Sequence, residues 1–242
     1  MCPVTGVNTL AVIPARGGSQ RIPRKNVRPF CGLPMIAWPI AAARASGLFD
    51  AILVSTDDDE IAAVAEQHGA QAPFRRPLHL ADDHAPTLPV MAHALDWWEE
   101  HRGLVGLACC IYATAPFLQP RYLIEGRDLL RTHPEAEFAF SITSYAFPIF
   151  RALRCEPDGH VAMFWPENEM IRSQDLPEAW HDAGQFYWGR PAAFRQRPGV
   201  FNARSLGIRL PRHLVQDIDT PEDWERAESM FAALPATALS HV

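Results

Sequence analysis

The sequence predicts an α/β fold with a mostly parallel sheet flanked by helices. Three observations support this. The candidate strands are apolar at nearly every position, so both of their faces are buried. They alternate with helical patterns along most of the chain. With 242 residues, 48% of them hydrophobic, the chain can bury a full core as one large domain, or as one domain carrying a small subdomain.

Leu10–Pro14 reads as the first strand, and alanine-rich Met35–Ala45 as the first helix. "AILVSTDD" is a strand running into an acidic turn. "DEIAAVAEQHG" is a helix opened by Asp59 and closed by Gly69. A helix over Leu88–Glu100, the strand "LACCIYA", a helix after Pro120 and the strand "FAFSIT" continue the alternation. Regularity lapses between Tyr145 and Gln185, where Pro, aromatic and charged residues mix. That stretch is an insertion serving as a lid or subunit contact, or else an ordinary irregular loop, although long structureless loops are scarce in compact domains. "FYWG", a short helix from Pro191 and the strand-like "ARSLGIRL" follow. In "VQDIDTPEDWERAESMFAAL", Thr220 is the expected N-cap of a last helix, with Pro221 in its first turn and Glu222 and Asp223 next. The expectation is one domain over 1–242 with an insertion at about 145–185.

A net charge of −6 argues against a protein that coats nucleic acid. No run of about 18 apolar residues is present, and no basic region precedes an apolar signal core, so neither a membrane span nor secretion is expected. The five cysteines, Cys2, Cys31, Cys109, Cys110 and Cys155, are odd in number and form no CxxC pair. They are expected to be reduced, mostly buried thiols of a cytoplasmic protein. The ten histidines show no HExxH or Cys/His spacing, so zinc is not expected. Trp97 and Trp98 read as core or interface.

Against this acidic whole, the loop after the first strand is cationic, carrying Arg16, Arg21, Arg24, Lys25 and Arg28. In α/β sheets ligands sit at the carboxyl ends of strands. Gly17 and Gly18 let backbone N–H groups approach phosphate oxygens, Ser19 adds a donor, and the cations balance negative charge. Arg16 and Lys25, at the two ends of the loop, are singled out. Neither GxxxxGK[ST] nor GxGxxG is present, and a basic surface turn with incidental glycines is the alternative. Asp217 and Asp219 are two apart. If "VQDID" ends a strand, both carboxylates share a face and can meet one hard cation; otherwise they only precede the last helix. Asp57, Asp58 and Asp59 read as a helix start and a solvated turn with no catalytic role. His181, Asp182 and Gln185 form a polar cluster suited to a pocket, although a lone histidine is more often structural.

The spacing "PARGGSxRIPRKN" resembles the nucleotide-binding signature of the acylneuraminate cytidylyltransferases, which runs roughly PARGGSKxxPxKN. The resemblance continues, in family order, in "VSTDDDEIAAVAEQHGA", "RRPLHLADDHAPT", "YATAPFL" and "DIDTPEDW". "CIYATAPFL" and "RSQDLPEAWHDAGQFYWG" are similar to members that activate pseudaminic acid. Members acting on sialic acid usually show a "QPTSPLR"-type segment where this chain has Tyr112 to Leu118.

The resemblance implies a Rossmann-like (GT-A-like) nucleotidyltransferase in which the anomeric hydroxyl of a nonulosonic acid attacks the α-phosphorus of CTP. Mg²⁺ or Mn²⁺ would assist. N-acetylneuraminate or another nonulosonate is the alternative sugar. A non-catalytic nucleotide-binding regulator is a further alternative, against which the Asp217 and Asp219 pair counts. By resemblance, Ala15, Arg16, Gly17, Gly18, Ser19, Gln20, Lys25, Asn26, Arg76, Thr87, Tyr112 and Thr114 face the nucleotide. Tyr112, His181, Asp182, Gln185 and Tyr187 face the sugar. Arg16, Lys25, Asp217 and Asp219 carry catalysis, the two aspartates with the metal. One departure is Gln20, where the family usually has lysine; either Arg21 compensates or CTP is held less tightly. The segment Tyr145–Trp165 resembles one through which relatives form homodimers.

Overall fold

The computed structural model describes residues 7–82, 85–196 and 199–235; Cys2 lies outside them. β1 (Asn8–Pro14) enters the cationic loop, which ends in a short hairpin, β2 (Pro29–Phe30) and β3 (Leu33–Pro34). There follow α1 (Ala37–Ser46), β4 (Ala51–Ser55), α2 (Asp59–Gln67), α3 (Thr87–His101), β5 (Val105–Ile111), α4 (Pro120–Thr132) and β6 (Phe138–Ser144). A second hairpin, β7 (Leu153–Cys155) and β8 (Val161–Met163), precedes β9 (Trp180–Gly189), α5 (Pro191–Arg195), β10 (Ser205–Arg209) and α6 (Pro221–Ala232).

The six-stranded sheet has the order β10-β6-β9-β5-β1-β4. Its neighbours pair in parallel except at β9, which runs antiparallel to both β5 and β6. After β6 no helix carries the chain back across the sheet, so β9 returns alongside β6 in the opposite direction. The period of two then sorts β1. Ala11 and Ile13 pack with Trp38 and Ile40 of α1, Leu123 of α4 and Phe231 of α6. Leu10 and Val12 pack on the other face with Met91 and Leu95 of α3 and Phe194 of α5. Every residue of β4 is buried, as its unbroken apolar run requires.

Helix starts follow capping chemistry. Thr220 and Asp223 form a reciprocal capping box with Pro221 in the first turn of α6. At α2 the cap is Asp58, not Asp59. Asp58 keeps an extended backbone and its Oδ1 accepts the Ile61 N–H at 2.9 Å. Asp59 is already helical and pairs with Arg75 at 2.7 Å.

Three further sequence expectations are corrected. "VQDID" forms no strand, because the turn Arg212–Leu214 diverts the chain after β10 and residues 215–219 gain no ladder partner. The insertion ends before Trp180, where β9 begins, so His181 to Gln185 belong to β9. Cys109 and Cys110 are buried and free, but Cys31 and Cys155 are exposed. The insertion also leaves Phe147, Leu153, Val161, Phe164 and Met170 exposed. Trp98 is buried, while Trp97 is half-buried and stacked on His101, as core packing predicts. Among the described residues no helix is long and apolar enough to cross a membrane.

Candidate active site

The cationic loop is held in shape by the first acidic cluster. Gly17 N–H donates to Asp57 Oδ1 at 2.9 Å, and a Cβ at Gly17 would sit 2.8 Å from Asp58 Oδ2, so only glycine fits there. The Gly17 amide is therefore spent on Asp57 and not aimed outward. Arg24, in the left-handed region at φ 57°, bonds both oxygens of Asp58 at 2.5 and 3.0 Å and also pairs with Glu60. Asn26 is buried and donates to the Arg16 carbonyl at 3.0 Å, tying the two ends of the loop together. The aspartates after β4 thus have a structural role beyond a solvated turn.

Arg24 holds the Asp58 carboxyl at about 2, below the ~3.9 of an unfolded chain. Its contribution to stability is present above pH ~4 and is lost as pH falls towards that lowered value. Asp58→Ala is expected to cost roughly 1–2 kcal/mol, from the lost cap and ion pair. Urea titration should show this gap near pH 7 and a narrower one at pH ~2.5.

The five cations have different partners. Arg28 lies over the Trp224 ring, 4.7 Å from its centroid, and Arg24 is bound as above. Lys25 Nζ donates to the Ile218 carbonyl at 2.7 Å and to Asp219 Oδ1 at 3.2 Å. Arg21 pairs with Asp219 Oδ2 at 2.9 Å. Arg16 donates to the Gly18 carbonyl at 3.3 Å. A sixth cation, Arg76, is 6% exposed; it donates to Ser55 Oγ at 3.1 Å and to the Ser55 carbonyl. Burial pulls its pKa down to about 10, which leaves it charged at neutral pH.

A cleft of about 510 Å³ opens at the carboxyl ends of β1 and β5. Arg16, Ser19, Gln20, Lys25, Asn26, Arg76, Thr87, Tyr112 and Thr114 all border it, with Arg21 and Asp219. Ala15 is buried beneath, its N–H donating to the Ser55 carbonyl at 2.9 Å, and neither Gly17 nor Gly18 forms the wall. Val90 also borders the cleft, one helical turn after Thr87. Its i, i+3 spacing on α3 is the sequence signal for it.

The sequence-predicted sugar residues divide. Asp182 and Tyr187 border a second hollow of about 310 Å³, which shares Thr87 and Tyr112 with the cleft. Gln185 does not border it. Gln185 is buried, and its Nε2 donates to the Leu214 carbonyl at 2.5 Å, bracing β9 against the turn before Asp217. His181 is also outside the hollow; its Nδ1 lies 2.8 Å from the Asp182 carbonyl and its ring packs on Tyr145. The structure therefore brings neither side chain to the hollow that holds Asp182 and Tyr187.

Ile218 is fully buried between two more accessible aspartates, of which Asp219 borders the cleft and Asp217 does not. The Asp217 carboxyl is raised, first by desolvation and then by the charge of Asp219. Two carboxylates that repel one another and offer only hard oxygens suit a hard divalent cation. Among the described residues no group of three His, Cys, Asp or Glu converges on a metal position.

The chain matches the family described as "Cytidylyltransferase" over residues 10–230. It is 40% identical over 225 residues to a pseudaminic acid cytidylyltransferase of Campylobacter jejuni, covering 93% of this chain and 97% of that one. It is 33% identical over 222 residues to N-acylneuraminate cytidylyltransferase A of Danio rerio, covering 90% of this chain and 49% of the relative. A solved structure of CMP:2-keto-3-deoxy-manno-octonic acid synthetase complexed with CTP matches with a TM-score of 0.65 at 18% identity, covering 93% of this chain and 98% of that one. At that identity the likeness shows the fold alone.

Proposed function

The chain belongs to the cytidylyltransferase family, and from that premise we propose that it transfers CMP from CTP to the anomeric hydroxyl of pseudaminic acid, giving CMP-pseudaminic acid and pyrophosphate. The near full-length identity with the Campylobacter jejuni enzyme carries this reading. The sugar oxygen bonds to the α-phosphorus, the bond from that phosphorus to the β-phosphate oxygen breaks, and the hydroxyl proton is released. Such transfers depend on positioning and on neutralising charge at the phosphate oxygens.

The cleft residues supply both. Arg16, Lys25, Arg21 and buried Arg76 bring positive charge to the cleft, while Ser19, Gln20 and Thr114 offer neutral hydrogen bonds. Asn26 fixes the loop ends, and Thr87 and Tyr112 stand between nucleotide and sugar. Asp217 and Asp219 would hold Mg²⁺ or Mn²⁺, which when bound neutralises charge on the reacting phosphate. We place the enzyme in the cytoplasm, where CTP is available.

CTP with equal concentrations of pseudaminic acid and N-acetylneuraminate, read by mass spectrometry and pyrophosphate release, should yield mainly CMP-pseudaminic acid. Mainly CMP-N-acetylneuraminate would overturn the sugar, and no pyrophosphate would overturn the transferase.

Exposed Phe147, Leu153, Val161, Phe164 and Met170 support a homodimer, since such apolar surface is costly in water. Light scattering at low micromolar concentration is expected to give twice the monomer mass. A fully active monomer would refute a required dimer.

A further inference from the structure

The second hollow is mostly apolar. Leu88, Phe194, Val200 and Phe201 line it, and Cys110, its thiol pushed up by burial, is a neutral wall. One carboxylate stands in it, that of Asp182. Tyr187 O–H donates to Asp182 Oδ2, and Gly184 N–H donates to Oδ1 at 2.9 Å. Burial pushes the Tyr187 hydroxyl far up, so it stays a donor.

This pairing exists because β9 is irregular. Tyr187 pairs with Phe140 and Asp182 with Ile142, so five positions of β9 span two of β6. In a regular strand, residues an odd number apart point to opposite faces. The extra residues, with Gly184 in the left-handed region at φ 61°, bring Asp182 and Tyr187 to the same hollow.

A carboxylate has about four acceptor positions, and two are taken here. The remaining ones can accept from a ligand. We propose that Asp182 is the specificity-determining residue of the sugar site, a fixed acceptor that selects a nonulosonic acid whose tail offers an acylamino N–H and a methyl group over one whose tail carries hydroxyls. The inference rests on the pseudaminic acid reading above. The N–H donates to Asp182, and the methyl group packs on Leu88, Val200 and Phe201. A hydroxyl tail also donates, but it sets a further hydroxyl where the methyl group would pack, and that group loses water against apolar walls with no partner there, which is costly.

The test is steady-state kinetics on both sugars with wild type, Asp182→Ala and Tyr187→Phe, the KM for CTP serving as internal reference. Asp182→Ala is expected to raise the KM for pseudaminic acid by roughly 30-fold and to cut the pseudaminic acid to N-acetylneuraminate ratio of kcat/KM by roughly 10-fold or more. The KM for CTP should stay within about twofold, which a general loss of structure would not allow. Tyr187→Phe frees the carboxylate but keeps it, so the ratio should fall less, by roughly 3-fold. This second variant decides if Asp182→Ala does not fold, and an unchanged ratio in it then overturns the inference. Wild-type selectivity for pseudaminic acid that survives Asp182→Ala overturns the inference alone. Wild type that makes mainly CMP-N-acetylneuraminate overturns the sugar reading and the inference with it.

Discussion

Asp219→Ala is expected to lower turnover by roughly a hundredfold or more while leaving the fold intact, as when charge stabilisation at a reacting phosphate is lost. The carboxylate borders the cleft and pairs with Lys25 and Arg21, whose ammonium and guanidinium groups would otherwise be free for phosphate. These pairs are partly exposed, so their loss costs about 1 kcal/mol or less of stability. The start of α6 should persist, because Asp223 accepts from the Asp219 backbone N–H at 3.1 Å, a bond the substitution leaves in place. Asp217→Ala should give a comparable loss of turnover. The two variants separate in metal-free CTP binding. Asp219→Ala releases two cations and should bind CTP as well as wild type or more tightly, whereas Asp217→Ala removes only one repelling charge. Turnover with Mg²⁺ and calorimetry with CTP under chelation make the comparison. Near wild-type turnover in both variants would sink the assignment.

The sheet could be read from the sequence because its signals are local. "AILVS" is apolar at every position but the last, and β4 is buried throughout. Thr220, Pro221 and Asp223 announce α6 through groups within one turn of one another. What was not legible depends on partners distant in the chain. "FYWG" reads the same whichever way β9 runs, and only its place after the insertion makes it antiparallel. Gln185 and Tyr187 are two apart and equally polar at one end, yet one braces the Leu214 turn and the other reaches Asp182. The register shift responsible needs β6 as its reference, and no spacing within "HDAGQFYW" reveals it. The cationic loop was legible as a candidate site at the end of β1, but which of its cations border the cleft was not. Arg24 and Arg28 look like Lys25 in sequence and are claimed by Asp58 and Trp224 in the structure.

That division of the cations leads to the second large effect. Lys25→Ala and Arg16→Ala are each expected to raise the KM for CTP by roughly 10- to 100-fold, the loss of a charge-assisted hydrogen bond worth about 1.5–3 kcal/mol. Arg28→Ala should stay within about twofold, since its guanidinium lies on Trp224 and does not border the cleft. Lys25 needs a stability control, because its ammonium also holds the Ile218 carbonyl at 2.7 Å, so the variant is assayed well below its unfolding transition. Gln20 borders the same cleft and carries no charge. Gln20→Lys is therefore expected to preserve activity and to tighten CTP binding if the cleft is short of one cation. If calorimetry instead shows no change, Arg21, which borders the same cleft, already supplies that charge. Equal KM values for CTP in Lys25→Ala, Arg16→Ala and Arg28→Ala would show that the loop cations act as a general field and not as placed contacts.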